Sequence, residues 1–121
     1  DDSIVRGNTS RQIVELARRA GARKVYFASV SPPLRHPCIY GIDMSTKNEF
    51  IAKDRTVEQI ATELGADGVV YQTLENLVDA VREGNPGLTS TCNACFSGVY
   101  PTGDVTEEQL SRIEAERLLP R

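Results

Sequence analysis

Apolar positions along this chain switch between a helical and an extended period, and the switches mark its elements. Ile13, Leu16, Ala17 and Ala20 recur at i, i+3, i+4 and i+7, predicting a helix over 9–20 that Thr9 or Ser10 caps and Gly21 stops. The run KVYFASV at 24–30 is nearly all apolar and rich in β-formers, which predicts a strand buried on both faces, as in a parallel sheet. Helix, glycine turn and buried strand make the second half of a βαβ unit whose first strand is absent ahead of residue 1. Pro32, Pro33 and Pro37 rule out helix over 31–45 and leave an extended loop; a short helical turn is expected at 46–52. Thr56 to Gln59 is a capping box, and Val57, Ile60, Ala61 and Leu64 then line one helix face as far as Gly65. A second short strand is predicted at 68–73. Thr73 caps a further helix with a buried stripe of Leu74, Leu77, Val78 and Val81, ending at Gly84. Residues 85–91 read as a flexible loop. The last helix opens on a box from Thr106 to Gln109, with Val105 and Leu110 as a hydrophobic staple and Leu110, Ile113 and Leu118 as its apolar face.

Composition narrows the picture. At 121 residues the chain accommodates one domain with a real core. Apolar residues are 40% and aromatics 6%, so that core is built from Val, Ile, Leu and Ala. A net charge of −3 gives no electrostatic case for nucleic acid as a partner. No run approaches the roughly 18 apolar residues of a membrane span. Three cysteines is an odd number, which argues against a closed disulfide framework and fits cytoplasmic thiols or metal ligands.

The candidate chemistry concentrates in the first ten residues. Asp1 and Asp2 are followed by a short polar loop, Ser3 to Ser10, and then by a helix. The free N–H groups of a first helical turn, together with the macrodipole, attract an anion. Gly7 permits close backbone approach or positive φ, Ser3, Thr9 and Ser10 supply hydroxyls, and the acids suit sugar hydroxyls or a divalent cation. A second constellation is Cys92-x-x-Cys95 with the distant Cys38: three candidate ligands of a four-ligand centre, or three inert reduced thiols, with zinc a further alternative. His36 stands alone without positioned partners and reads as structural. The glutamates at 107–116 alternate with arginines, as on a solvated helix face.

The string DDSIVRGNTS resembles the phosphoribosyl pyrophosphate motif of the type I phosphoribosyltransferases. More narrowly, it is similar to that of the glutamine phosphoribosylpyrophosphate amidotransferase family. The similarity continues through KVYFASVSPPLRHPCIYGIDM to CNACFSGVYPTGD. The family string has Thr where this chain has Asn8, and Asn keeps the ability to cap and to donate.

The resemblance implies an α/β, incomplete type I phosphoribosyltransferase fold, a parallel sheet with flanking helices and a C-terminal helical tail. Residues 1–84 would be the C-terminal half of the phosphoribosyltransferase domain, and 85–121 a Cys-containing loop and helix packed on it. It implies that Asp1 and Asp2 accept hydrogen bonds from the ribose hydroxyls and help hold Mg²⁺. Ser3, Arg6, Gly7, Asn8, Thr9 and Ser10 would cradle the 5-phosphate. Some family members carry a 4Fe–4S cluster at HPC and CxxCF positions; Cys38, Cys92 and Cys95 match these, with a fourth ligand outside this chain. The implied partners are phosphoribosyl pyrophosphate, purine nucleotides as feedback inhibitors, the remainder of the enzyme with its glutaminase domain, and further copies in a homo-oligomer. The alternatives are a base-salvage phosphoribosyltransferase and a non-catalytic sensor of phosphoribosyl pyrophosphate or nucleotides. On this reading the chain is a fragment, inactive alone, with its sheet left open at one edge.

Overall fold

The computed structural model describes residues 1–42, 44 and 46–117. In chain order the elements are α1 (Asn8–Arg19), β1 (Tyr26–Ser29), a 3-10 turn (Lys47–Glu49), α2 (Val57–Leu64), β2 (Gly68–Tyr71), α3 (Leu74–Gly84), α4 (Ala94–Ser97) and α5 (Glu107–Arg117). The two strands pair in parallel, Tyr26 opposite Gly68 and Ser29 opposite Tyr71. This is a small parallel sheet with flanking helices, the α/β arrangement expected from the sequence. None of the described helices is long and apolar enough to cross a membrane.

The edge of β1 away from β2 is engaged by the first two residues. The Asp1 nitrogen donates to the Ala28 carbonyl at 2.9 Å, and the Val30 N–H donates to the Asp1 carbonyl at 2.9 Å. That pair of slanted bonds around Ser29 is a parallel-ladder pattern. The Ser31 N–H donates to the Asp2 carbonyl at 2.9 Å. The expected open edge is therefore occupied at its carboxyl end, and the two aspartates sit where α/β sheets place their ligands.

One apolar cluster unites the sheet with α1 and α2: Ile4, Val14, Phe27, Ile51, Ile60, Leu64 and Val69 are its larger members. α2 forms as predicted. Thr56 Oγ1 accepts from the Gln59 N–H, Gln59 Oε1 accepts from the Thr56 N–H, and Gly65 closes the helix at φ 72°. A cap of this kind is worth about 1 kcal/mol. Thr73 caps α3 through the Asn76 N–H, and the Thr106–Gln109 box opens α5. Beneath the sheet, Asp67 Oδ2 accepts from the Val25 N–H at 2.7 Å and from Arg18 Nη2 at 2.6 Å, tying the end of α1 to the starts of both strands. The Val25 N–H, aided by Arg18, holds the Asp67 carboxyl below the usual carboxylate range.

Four expectations are corrected. The N-cap of α1 is Gly7, with no side-chain cap from Thr9 or Ser10. The inward residues of α1 are Ser10 and Val14, whereas Ile13 and Leu16 are exposed. This helix has apolar side chains on two faces, and the stripe with the better period faces outward. Strand β1 is buried on one face only: Phe27 and Ser29 point into the core, while Tyr26 and Val30 are 65% exposed and Val70 of β2 is 62% exposed. The packed helices cover one side of the sheet, so alternation decides burial. Finally, α3 buries none of its residues, and Val81 is exposed.

A second apolar cluster joins the Pro-rich loop to the C-terminal third. Ala94, Tyr100 and Leu110 are buried, with Ile39 and Val105 packed against them, and the expected Val105–Leu110 staple lies within it. α4 had no signal in the sequence, being a single turn over 94–97. Leu118, assigned to the apolar face of the last helix, lies outside the described residues.

Candidate phosphate-loop site

A cavity of about 840 Å³ opens at the carboxyl end of the sheet. Asp1, Asp2 and Ser3, then Val5 through Ser10, form one wall; Ser31, Leu34, Cys38, Ile42, Met44, Cys95 and Phe96 complete it. The structure thus brings every opening residue assigned to substrate, and two of the three cysteines, to one cavity. Ile4 is missing from this wall because it turns into the core, 1% exposed, and anchors the loop from below.

The loop is held by its backbone. The Ile51 N–H donates to the Val5 carbonyl at 2.8 Å, and the Arg11 N–H donates to the Gly7 carbonyl at 2.8 Å as the first bond of α1. Gly7 lies at φ 79°, and a Cβ there would stand 2.5 Å from Ile51 Cδ1 and 3.0 Å from Leu64 Cδ2. Glycine is required twice, for conformation and for space. With no side chain capping α1, the N–H groups of its first turn have no partner within the helix, and Asn8, Thr9 and Ser10, which carry them, line the cavity, an arrangement suited to an anion.

The carboxylates are steadied but not consumed. Asp1 Oδ1 accepts from the Asp2 N–H at 2.9 Å and Asp2 Oδ1 from the Ser3 N–H at 2.7 Å. Among the described residues the second oxygen of each has no hydrogen-bond partner. That leaves two carboxylate oxygens for hydroxyls or a hard cation. Arg6 Nη2 lies 3.3 Å from Glu49 Oε2 and 3.2 Å from Oε1.

Cys38 and Cys95 line the same cavity from distant parts of the chain. Both the Arg35 and His36 N–H groups donate to the Cys95 carbonyl at 3.0 Å, pinning the RHPC loop to α4. The Tyr100 hydroxyl donates to the Pro37 carbonyl at 2.7 Å; burial pushes its pKa up to about 12, so it stays a donor. Burial raises the Cys95 thiol, and the charges of Cys38 and Cys92 raise it further. Their donor chemistry suits a thiolate-bound centre, although among the described residues no group of three or more His, Cys, Asp or Glu is arranged to hold a metal ion. His36 does structural work: its ring lies against Gly98, where a Cβ would be 2.9 Å from Cε1. Burial, then Lys47, lowers its pKa.

Sequence reasoning missed two supports. Arg35 crosses to the carbonyls of Ala52 and Arg55, joining the Cys38 loop to the segment under Gly7. Glu49 lies in the short turn expected at 46–52, where its carboxylate meets Arg6. The string RHPC drew attention to its histidine and cysteine, and only the fold reveals what the arginine reaches.

No family model matches the chain. Amidophosphoribosyltransferase of Pasteurella multocida is 52% identical over 117 residues, 97% of this chain. The chain is similar to a segment of the amidophosphoribosyltransferases. It spans 23% of the length of that relative. Two solved structures agree, each with a TM-score of 0.73. One is the glutamine phosphoribosylpyrophosphate amidotransferase of B. subtilis complexed with ADP and GMP, 46% identical over 84% of this chain and 22% of that one. The other is described as the allosteric regulatory enzyme of purine biosynthesis, 41% identical over 94% of this chain and 25% of that one. Amidophosphoribosyltransferase relatives at this identity favour neither a base-salvage enzyme nor a sensor.

The Gly7→Ala substitution in the full-length protein is expected to cost about 1–3 kcal/mol through overpacking, with about 1 kcal/mol more for left-handed geometry. Chemical denaturation measures the loss. Phosphate-ester affinity should fall with it, because the loop cannot keep both its seat and its shape.

Proposed function

We propose that this chain supplies the ribose-5-phosphate half of the active site in an amidophosphoribosyltransferase. The enzyme would make 5-phosphoribosylamine from phosphoribosyl pyrophosphate and glutamine-derived ammonia, at the start of purine biosynthesis. The observation that carries this reading is the single cavity that gathers Asp1, Asp2, the Gly7 turn and the uncapped start of α1.

The work of these residues is positioning and electrostatics. Backbone N–H groups and hydroxyls from Arg6 to Ser10 bind the 5-phosphate. Asp1 and Asp2 accept the ribose 2- and 3-hydroxyls and orient C1. Ammonia's lone pair forms the C1–N bond as the C1–O bond to pyrophosphate breaks, and the carboxylates favour the positive charge that develops on the ribose. The remaining carboxylate oxygens of Asp1 and Asp2 would also hold Mg²⁺, which would supply positive charge for the leaving pyrophosphate. The remainder of the polypeptide would contribute pyrophosphate contacts and the ammonia-producing glutaminase. Burial against it or against further copies would account for the exposed apolar surface at Leu16, Tyr26, Val30 and Val70. Nucleotides in the B. subtilis structure support purine nucleotides as regulators. A reducing cytoplasm suits cysteines that form no disulfide.

Steady-state assays on the full-length protein test the reading. Ammonia should replace glutamine as amine donor, and purine bases should not. Asp1→Asn and Asp2→Asn should each lower kcat/KM for phosphoribosyl pyrophosphate by about tenfold to a hundredfold, as for loss of a charge-assisted hydrogen bond. Equal turnover with a purine base would contradict it.

Cys38, Cys92 and Cys95 are proposed as three ligands of a 4Fe–4S cluster with the fourth elsewhere in the polypeptide. Anaerobically purified full-length protein should contain iron and acid-labile sulfide, and Cys95→Ser should lose both. Zinc alone, or no metal, would overturn the assignment.

A further inference from the structure

Among the described residues that line the cavity, Arg6 is the one cationic side chain. A long, flexible arginine side chain loses rotamer entropy when an anion orders it. Here one guanidinium nitrogen lies against a carboxylate that is itself held by two hydrogen bonds. Glu49 Oε2 accepts from both the N–H and the hydroxyl of Thr46 at 3.0 Å, while Arg6 Nη2 approaches both of its oxygens. Hydrogen bonds from Thr46 come first, and Arg6 after them, in holding the Glu49 carboxyl below the usual range. The three residues that follow, Phe50, Ile51 and Ala52, are almost wholly buried. Ile51 is also the residue that underlies Gly7 and bonds Val5. One short segment therefore supports the loop from beneath and steers its cation from the side.

We propose that Glu49 is a positioning residue for phosphate-ester binding: it aims the Arg6 guanidinium over the loop while touching no substrate itself. The inference rests on the functional reading above. A fixed partner reduces the ordering cost of Arg6, so Glu49 improves affinity for an anion although its own charge repels one. The step is one of binding, which separates it from residues that act on C1.

The test uses the full-length enzyme with phosphoribosyl pyrophosphate and ammonia. Glu49→Ala should raise KM by roughly three- to tenfold, the range for freeing one rotamer-rich side chain, with kcat nearly unchanged. Glu49→Gln keeps an acceptor for Arg6 and should recover part of the loss. Arg6→Ala should raise KM further, and Arg6→Ala/Glu49→Ala should be no worse than Arg6→Ala alone. Thermal midpoints of all four variants control for folding. If Glu49→Ala lowers KM or leaves it unchanged, or if the double variant is additive, the positioning role is wrong. If the wild-type enzyme makes no phosphoribosylamine, the functional reading itself fails, a result distinct from either.

Discussion

The seat of Gly7 on Ile51 and Leu64 is the contact on which the site depends. A left-handed residue pressed against two core side chains fixes where the loop ends and α1 begins. It also fixes which way the first-turn N–H groups point. Ile51 comes from the segment after the Pro-rich loop, and Leu64 from the last turn of α2. The shape of the candidate loop is thus a product of the core, with Gly7 and Ser10 buried beneath the exposed Asn8 and Thr9. A side chain at position 7 forces a choice between the loop's geometry and the packing of Ile60, Leu64 and their neighbours.

The same economy extends to the cysteine wall. The RHPC loop is bound to α4 through the Cys95 carbonyl and to the C-terminal segment through the Tyr100 hydroxyl. Arg35 then reaches the carbonyl of Ala52, one residue from Ile51. A run of hydrogen bonds therefore leads from the Cys95 carbonyl through the RHPC loop to Ala52, next to the residue under Gly7. The opening loop, Cys38 and Cys95 line one cavity, and the segment around Ile51 and Ala52 touches both walls.

Where local chemistry dictates structure, the sequence was legible. The boxes at Thr56 and Thr106, the cap at Thr73 and the stop at Gly65 involve residues three or four apart and formed as expected. The parallel sheet followed from an apolar run between helices. Burial was less legible, because it depends on what covers each face. Ile13 and Leu16 show a good helical period, yet Val14 is the residue that faces the core. The strand Tyr26–Ser29 is apolar throughout, yet one face is open. Both errors assume neighbours on every apolar surface, and this chain spans about a quarter of the length of its relatives. Long-range ties such as Arg6 to Glu49, forty-three positions apart, leave no periodic trace.

The most direct test of the account is a crystal structure of the full-length protein with ribose 5-phosphate. The account predicts the phosphate against the N–H groups of residues 7–10, with the ribose hydroxyls on Asp1 and Asp2 and Gly7 unmoved on Ile51. A phosphate bound elsewhere, or a loop that leaves Ile51 to receive it, would contradict the central claim.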